Sequence, residues 1–454
     1  MSGPQSKRTS RPLGWTAGLL TLGVVTLASV RADDAPVVAA PAAVPFRVPT
    51  VVKSRILPEK EGPVYNLDSL RATALANNPA IAVARASYAS AVAGRQGVDN
   101  LRVPTFLQPD LPYRRKQACL GVQAAEAGVR HAELQTVFGV QFAYVSYLFA
   151  REQDLVARDA SGKLGDLSKS VRTAVGDKKI KTDLKESDAL LLEGVQIFAT
   201  GKLNETAAGS QRALSALRQA VGVTCDVPLN LKHQRLIEVS PVLDRQHLVA
   251  LALANRPELA QTSLVAQVTD LEVQAQRSRR SLNVRTFASG ADLHALPLPA
   301  GQYDVEYRPG AVGPEMPPFL SGKKADRVNR AAALASRACS VNESARGLFT
   351  LEVEQAFFRY EDALAKIGSL TRAAAKLRPT VETTLKKLTD SGFGEESKAA
   401  LDDLLKFTQV YSMMRVQANE ARYQALIALI TLERATGAAF RADLSNANEV
   451  KDDR

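Results

Sequence analysis

The chain has 454 residues, of which 46% are hydrophobic and only 6% are aromatic. Much of the apolar share is alanine, which has the highest helix propensity and a small side chain, so long, closely packed helices are favoured over a thick aromatic core. The formal net charge is +11, but no DNA-binding or RNA-binding motif accompanies it. We therefore interpret the charge as solvated helix faces and expect no nucleic-acid partner.

Residues 1–32 have the three parts of a secretory signal peptide. Basic residues lie near the start, an apolar stretch covers 13–30, and Ala32 completes a cleavage motif. Removing this segment takes away four basic residues and no acidic one, which lowers the formal charge from +11 to +7. A retained membrane anchor is the alternative, because the apolar stretch is long enough to span a bilayer. Residues 33–66 are rich in proline and alanine, which predicts an extended linker.

An internal repeat organises the rest of the chain. The sequence LANNP at Leu75–Pro79 recurs as LANRP at Leu253–Pro257, and Ala216–Gly222 is answered by Thr431–Gly437. Each LAN-x-P copy predicts the end of one short helix and the start of another, with proline in the first turn. The sequence therefore predicts two related helical modules. Their bounds are 67–223 and 243–438, with a connector at 224–242 and a polar tail at 439–454.

The second module is longer than the first because it holds an insertion at 282–323. This stretch contains six prolines and several glycines, which exclude a continuous helix. Tyr303, Val305 and Tyr307 alternate with acidic residues. Such a period of two residues predicts one short strand there.

Six long segments are predicted to be helical: 80–101, 114–175, 183–222, 258–281, 324–390 and 397–437. At 1.5 Å per residue the segment 114–175 would be about 93 Å long, and the two shorter segments of each half would together match the long one. A proline inside a helix costs about 3 kcal/mol, so Pro379 predicts that the fifth helix kinks or ends near Arg378. The predicted fold is mainly α, with two tandem repeats of long antiparallel coiled helices and a short, degenerate β portion.

The motifs, taken in order, resemble the outer-membrane efflux protein family, the TolC-like exit ducts. The segments that carry the resemblance are NLDSLRATALANNPAIAVARASYASAVAG, QAAEAGVRHAELQTVFGVQFAYVSYL, DRQHLVALALANRPELAQTSLVAQVTDLEVQAQ and ALIALITLERATG. Each segment alone carries little information, but their order and duplication over about residues 67–438 are specific. The chain is similar to a divergent member with reduced strand regions.

The resemblance implies a TolC-like α-barrel protomer, three of which form a twelve-helix barrel in the periplasm and share a β-barrel in the outer membrane. It implies a passive conduit for small molecules or proteins in a tripartite efflux or type I secretion system. The partners would be a periplasmic adaptor (membrane fusion) protein and an inner-membrane transporter. A conduit of this kind needs neither catalytic residues nor a cofactor.

The strand regions depart from the family pattern. A membrane-spanning strand needs about 9 to 11 residues, whereas Asn100–Tyr113 is too short for a pair of strands and contains three prolines. A periplasmic coiled-coil scaffold or binding protein that lacks the membrane barrel is therefore the alternative function. The two would be separated by fractionation between outer membrane and soluble periplasm.

Two turns between long helices are the candidate functional sites, because the resemblance places adaptor contacts at the periplasmic tip. The first turn follows Gly176, and we expect Thr182 or Asp183 to cap the returning helix. Both turns depart from the family pattern, since Asp177 replaces an apolar residue and the second turn has extra residues. Ordinary helix-turn chemistry is the alternative interpretation. The predicted contact residues are Gly176, Thr182, Asp183, Gly392, Phe393, Gly394 and Asp402.

No arrangement of residues predicts catalysis or metal binding. The four histidines and the three cysteines are far apart in sequence and have neither metal-ligand nor disulfide spacing. Gly392, Gly394 and Ser397 imitate part of a phosphate-binding loop, but no strand precedes them and no Lys-Ser or Lys-Thr follows. Ser289, Asp292 and His294 lack a nucleophile elbow. We expect no enzyme activity.

Overall fold

The computed structural model describes residues 63–177, 182–224, 227–279, 323–390, 393–394 and 397–450. The predicted signal peptide, nearly all of the linker and of the insertion, and the strand expected at Tyr303–Tyr307 lie outside the described residues.

Each half of the described chain has four helices in the same order, one short, one intermediate, one very long and one returning. The first half contains α1 (Leu67–Asn77), α2 (Pro79–Asp99), α3 (Leu111–Gly176) and α4 (Glu186–Val221). The second half contains α5 (Arg245–Asn255), α6 (Pro257–Ser278), α7 (Lys324–Asp390) and α8 (Ser397–Ala435). The predicted mainly α fold and the six predicted long helices are confirmed, with helix ends that differ from the prediction by at most three residues.

The LAN-x-P motifs form the same joint in both halves. Helix α1 ends at Asn77 and α2 begins at Pro79, while α5 ends at Asn255 and α6 begins at Pro257. Proline is accepted in the first turn because the N–H that it lacks has no partner within the helix there. At the first joint the Asn78 side chain also accepts a hydrogen bond from the Ala80 N–H at 2.9 Å. The motif therefore encodes a sharp break between two helices.

Helix α7 does not end at Arg378, as the position of Pro379 had suggested. It continues without interruption from Lys324 to Asp390 and contains Pro379. Pro379 and Ala375, whose carbonyl loses its usual partner four residues on, are both exposed to solvent. Water can therefore replace the missing hydrogen bond. Val381 and Leu388 beyond the proline are buried in a core, which holds the last turns of the helix in place.

The described strands have only two residues each. Strand β1 (Val64–Tyr65) pairs in parallel with β2 (Asn230–Leu231), and β3 (Ile237–Glu238) pairs antiparallel with β4 (Asn448–Glu449). These pairs fasten the N-terminal segment and the C-terminal tail to the connector between the two halves. Residues 101–110, between α2 and α3, form turns. Of the helices that the structure describes, none combines the length and the apolar character that a membrane crossing requires.

The helices form one layer of four columns. Helix α3 packs against α2 and α4 on one side, and against α6 and α8 on the other. Helices α6 and α8 in turn pack against α7. The columns are therefore α2 with α4, then α3, then α6 with α8, and finally α7. At 1.5 Å per residue, the 66-residue α3 and the 67-residue α7 are each about 100 Å long.

Two main apolar cores hold this layer together. The larger lies at mid-height, where α1, the connector and the tail cover α3 and α8, and it includes Tyr144, Leu148 and Leu429 at 0% exposure. The smaller lies near the turns that follow α3 and α7, with Val171, Leu192 and Leu388 among its buried members. Because the smaller core combines residues of both halves, the two hairpin ends form a single packed tip.

Candidate functional site

The two lateral edges of the helical layer carry different side chains. One edge is formed by α2 and α4, and it carries exposed apolar side chains at Leu190 (62%), Leu191 (57%), Ile197 (67%) and Phe198 (69%). They form two adjacent pairs seven residues apart, which is about two helical turns, so all four lie on one face of α4. The other edge is α7, whose exposed positions over 365–387 are mainly small, basic or hydroxylic residues. A layer with two unlike edges can join to copies of itself edge to edge.

The tip is fastened by Asp183, which links the two halves. Its carboxylate oxygens accept hydrogen bonds from the Lys398 backbone N–H at 3.0 and 3.2 Å, in the first turn of α8. The Lys398 ammonium lies 3.6 Å from the Asp188 carboxylate of α4. A carboxylate at a helix N-terminus satisfies orphan N–H groups and complements the helix dipole. The tip is therefore crosslinked between hairpins by charge-assisted contacts.

This arrangement corrects the predicted capping role of Asp183. The returning helix of its own half, α4, has Lys185 at the N-cap, and the Lys185 N–H donates to Asp188 at 2.9 Å. Thr182 closes a local turn, since its hydroxyl oxygen accepts a hydrogen bond from the Leu184 N–H at 3.2 Å. Neither predicted residue caps α4. The reason is tertiary, because the packing of the two hairpins places the α8 N-terminus within reach of Asp183.

The other predicted tip residues take different positions. Gly176 is exposed at the end of α3, and the Gly394 carbonyl accepts a hydrogen bond from the Ser397 N–H at 3.3 Å. Asp402 is exposed on α8, whereas Gly392 lies outside the described residues. Phe393 has φ of 62° and is buried in the tip core. Its ring stabilises the turn and is not presented at the surface.

Sequence reasoning did not detect a buried ionic cluster at the joint between α5 and α6. The Arg256 guanidinium contacts the carboxylates of Glu258 and Glu352 and lies over the Phe349 ring, 3.9 Å from its centroid. Arg434 of α8 donates to Glu352 at 2.6 Å. Charges buried in this way are stable only when they are paired. One sequence feature could have indicated this cluster: the second copy of the LAN-x-P motif has a charged residue, Arg256, where the first copy has Asn78.

The charges in this cluster set the protonation of Glu258. Burial favours the neutral acid, but the His131 ring at 3.2 Å and the Arg256 charge outweigh it and lower the pKa of Glu258 to about 2. Burial likewise disfavours the charged guanidinium, yet Glu352 and Glu258 raise the pKa of Arg256. Both partners therefore stay ionised across the physiological pH range. The cluster connects α6, α7 and α8.

A second buried network lies at the end of the layer opposite the tip. Arg114 of α3 makes a two-pronged ion pair with Glu272 of α6, and Gln117 donates to Glu272 at 3.0 Å. Arg327 of α7 donates to Gln276 of α6 at 3.1 Å. Burial disfavours the charged Glu272, but Arg114 outweighs it, so the pKa of Glu272 is lowered. The network joins the ends of three helices.

The histidines and cysteines in the described residues do not come together. His233 lies in the buried part of the connector, where its Nδ1 is 2.7 Å from the Tyr144 hydroxyl. Burial, with the charge of Lys232, lowers the pKa of His233 and favours the neutral ring. Cys119 and Cys339 are free and border opposite sides of a groove of about 750 Å³ over α6. His294 and Cys225 lie outside the described residues.

Comparison with solved structures identifies the class of fold. The outer-membrane channel OprN has a TM-score of 0.64 at 15% identity, with 82% of this chain and 90% of that chain covered. The outer-membrane protein VceC of Vibrio cholerae has a TM-score of 0.63 at 14% identity, with 83% and 97% covered. The open-state MtrE channel of Neisseria gonorrhoeae has a TM-score of 0.55 at 17% identity, with 84% and 90% covered.

No family model matches the chain, and no curated protein matches it by sequence. At identities of 14% to 17% the structural likeness establishes the fold. The chain has the fold of outer-membrane channel proteins over nearly the whole length of those proteins. The TolC-like fold that the sequence motifs predicted is thereby confirmed.

Proposed function

We propose that the chain is one subunit of a homotrimeric outer-membrane channel, with most of its length in the periplasm. The channel would be a passive conduit of a tripartite efflux or type I secretion system. The observation that carries this proposal is the four-column helical layer, with two helices of about 100 Å and unlike lateral edges. Three such layers joined edge to edge would enclose a lumen.

The apolar patch on α4 supports the assembly step. Four large apolar side chains on one edge of the layer form a patch of the kind that marks protein–protein contacts, and the edge of the next copy would cover it. Because the two edges differ, the contact is head-to-tail, and a rotation of one third of a turn closes it into a ring. The patch residues are Leu190, Leu191, Ile197 and Phe198.

Fractionation of membranes tests assembly and localisation together. The wild-type chain should appear in the outer membrane as a trimer that dissociates on heating. Leu191→Ser with Phe198→Ser should shift it towards monomer, whereas Val410→Ser with Val416→Ser, exposed apolar residues of the inner column α8, should not. If the wild-type chain were found solely as a monomer in mild detergent, the proposed trimer would be refuted. Release with the soluble periplasm would favour the alternative of a periplasmic scaffold or binding protein.

We further propose that the tip binds the periplasmic adaptor, which links the channel to the inner-membrane transporter. The proposed contact keeps the full predicted set. Five of its described residues lie near the surface of the tip, namely Gly176, Thr182, Asp183, Gly394 and Asp402. The buried Phe393 would act by holding the turn, and Gly392 is included by sequence. Asp402→Arg should weaken adaptor capture and raise susceptibility to exported compounds. Glu420→Arg makes the same charge change on the same helix, about 27 Å from residue 402, and should have no effect. Equal capture by both variants would exclude the tip.

A further inference from the structure

The last described residues of the chain lie across the connector between the two halves. We call residues 445–450 the strap. Within the strap, strand β4 pairs antiparallel with β3 of the connector, and the Val450 N–H donates to the Leu236 carbonyl at 2.8 Å. The strap follows Leu444, which is fully buried in the mid-height core. Because a pair of two-residue strands is only marginally stable by itself, side chains must contribute to holding the strap.

His233 is one of these side chains, and it lies between the strap and helix α3. The residue is only 4% exposed. Its Nδ1 atom is 2.7 Å from the Tyr144 hydroxyl of α3, and the ring also forms a hydrogen bond with the Ala447 backbone of the strap. A neutral imidazole satisfies both contacts at once, because one ring nitrogen accepts from the tyrosine while the other donates to a carbonyl. The ring therefore joins the strap to α3.

A second proton on this ring would disturb the arrangement. The Nδ1 atom would then be a donor that faces the Tyr144 hydroxyl. The oxygen of that hydroxyl already accepts a hydrogen bond from the His233 backbone N–H. The hydroxyl hydrogen would also lose Nδ1 as its acceptor, inside a region that is buried from water. A buried donor without an acceptor is unfavourable, so the protonated ring fits this position poorly.

The charged groups around the ring do not favour a cation either. Lys232 of the connector has a like charge, and Glu449 of the strap has the opposite charge. The Glu449 carboxylate already accepts a hydrogen bond from a backbone N–H of the connector at 2.5 Å. Nearby, Arg235 is paired with Glu152 of α3 at 2.7 Å. Burial and the charge of Lys232 outweigh Glu449, so the pKa of His233 is lowered.

We propose that His233 is an acid-sensitive clasp, which holds the strap on the connector while its ring is neutral and releases the strap when the ring takes up a proton. Release uncovers the edge of β3 and the part of the core that Ala447 and Val450 contact. Leu444 stays anchored, whereas the buried Ser445 hydroxyl has no hydrogen-bond partner within the described chain. The inference goes beyond the proposed channel and does not depend on its assembly.

Acid should weaken the docking of the strap from about pH 6.5 downward. The docked ring has a pKa below the ordinary value of 6.5, so the released chain binds a proton at His233 more readily than the docked chain does. The free energy of docking is therefore fully present above pH 6.5 and decreases as the pH falls below it. Glu258, with a folded pKa of about 2, titrates in a more acidic range.

Hydrogen exchange of the wild-type chain without its predicted signal peptide measures the docking. The reporters are the Val450 amide in the strap and the Gln234 amide, which donates to Glu449. Their protection, corrected for the intrinsic exchange rate at each pH, should fall several-fold between pH 7.5 and pH 5.0. Amides of α3 near Tyr144 should keep their protection, and circular dichroism should show intact helices at both pH values. Unchanged protection of both reporters would overturn the proposal.

Three variants identify the group that responds to acid. His233→Gln supplies an amide that can accept from Tyr144 and donate to the strap but does not titrate, so its protection should be the same at both pH values. Lys232→Gln keeps the ring and removes the like charge, and the fall in protection should be smaller. His247→Gln changes an exposed histidine of α5 and should behave as the wild type does. A full-sized fall in either the His233 or the Lys232 variant would contradict the clasp.

Discussion

Gly437 stands directly against the backbone of Asn255, and a Cβ atom added to Gly437 would lie 2.6 Å from the Asn255 carbonyl oxygen. Gly437 follows α8 with φ of 65°, and Asn255 is the last residue of α5. The first half contains the same contact, because a Cβ on Gly222, which follows α4 with φ of 78°, would lie 3.3 Å from the Asn77 oxygen. The end of each returning helix thus closes on the first short helix of its half.

Gly437→Ala should therefore destabilise the chain more than Gly222→Ala. The left-handed backbone conformation costs a non-glycine residue about 1 to 2 kcal/mol at either position. At Gly437 the added methyl group also collides with the fixed backbone of Asn255, so we expect a total loss of about 3 kcal/mol. Urea unfolding followed by circular dichroism measures both values.

Gly201→Ala is the matched control, because Gly201 lies inside α4 with no atom within 4 Å of its added Cβ. Alanine there should be neutral or stabilise the helix by up to about 1 kcal/mol. Equal losses at Gly437 and Gly222 would show that the close contact with Asn255 has no energetic role.

Sequence patterns predicted the local structure well. Helix α7 has the predicted ends Lys324 and Asp390, because a long apolar periodicity and its breaks are properties of the chain alone. The repeat motifs likewise located both helix joints. Of the two outcomes predicted at Pro379, a kink or an end, the end is wrong. The cost of the proline depends on whether the carbonyl that loses its hydrogen bond reaches water, and packing decides that.

Contacts between distant segments could not be predicted. Asp183 caps a helix that begins at Ser397, and nothing in the local sequence distinguishes this partner from the nearby start of α4. The two-residue strands are too short to produce a period of two. For the tip site, the sequence located Thr182, Asp183 and Phe393 in the turns, while their actual contacts depend on how the hairpins pack.

Asp183→Ala should loosen the tip without unfolding the layer. Losing the carboxylate leaves the first N–H groups of α8 without a capping side chain, which costs about 1 kcal/mol. Hydrogen exchange should therefore speed up at Lys398 and its neighbours several-fold, while exchange in the mid-height core stays the same. Asp402→Ala removes an exposed carboxylate from the same helix and serves as the control. Equal protection in the Asp183 variant and the wild type would contradict the crosslink.

Acid should destabilise the chain in a range set by Glu258. The folded pKa of about 2 lies below the ordinary value of 4.5, so the unfolded chain binds a proton at Glu258 more readily. The corresponding stability, up to about 3 kcal/mol, is fully present above pH 4.5 and is lost as the pH falls towards 2. Urea midpoints measured from pH 6 to pH 2.5 should fall less steeply for Glu258→Gln than for the wild type. Identical slopes would show that the carboxylate is not held ionised by its neighbours.

The Arg114–Glu272 pair allows a test of whether this end of the layer depends on charge or on filled volume. Glu272→Leu alone leaves the buried Arg114 guanidinium with Asp110, at 3.4 Å, as its remaining carboxylate partner. Removing one partner of a buried pair typically costs about 3 to 5 kcal/mol, and Asp110 should keep the loss near the lower end of that range. Replacing both, as Arg114→Met with Glu272→Leu, removes both charges and preserves much of the volume, so part of that loss should be recovered, although Asp110 then loses its contact with Arg114. Urea unfolding of the wild type, the two single variants and the double variant gives the coupling energy. If the double variant were as unstable as the sum of the single variants, the pair would make no net coupled contribution, and the helix ends would be held together by the surrounding packing alone.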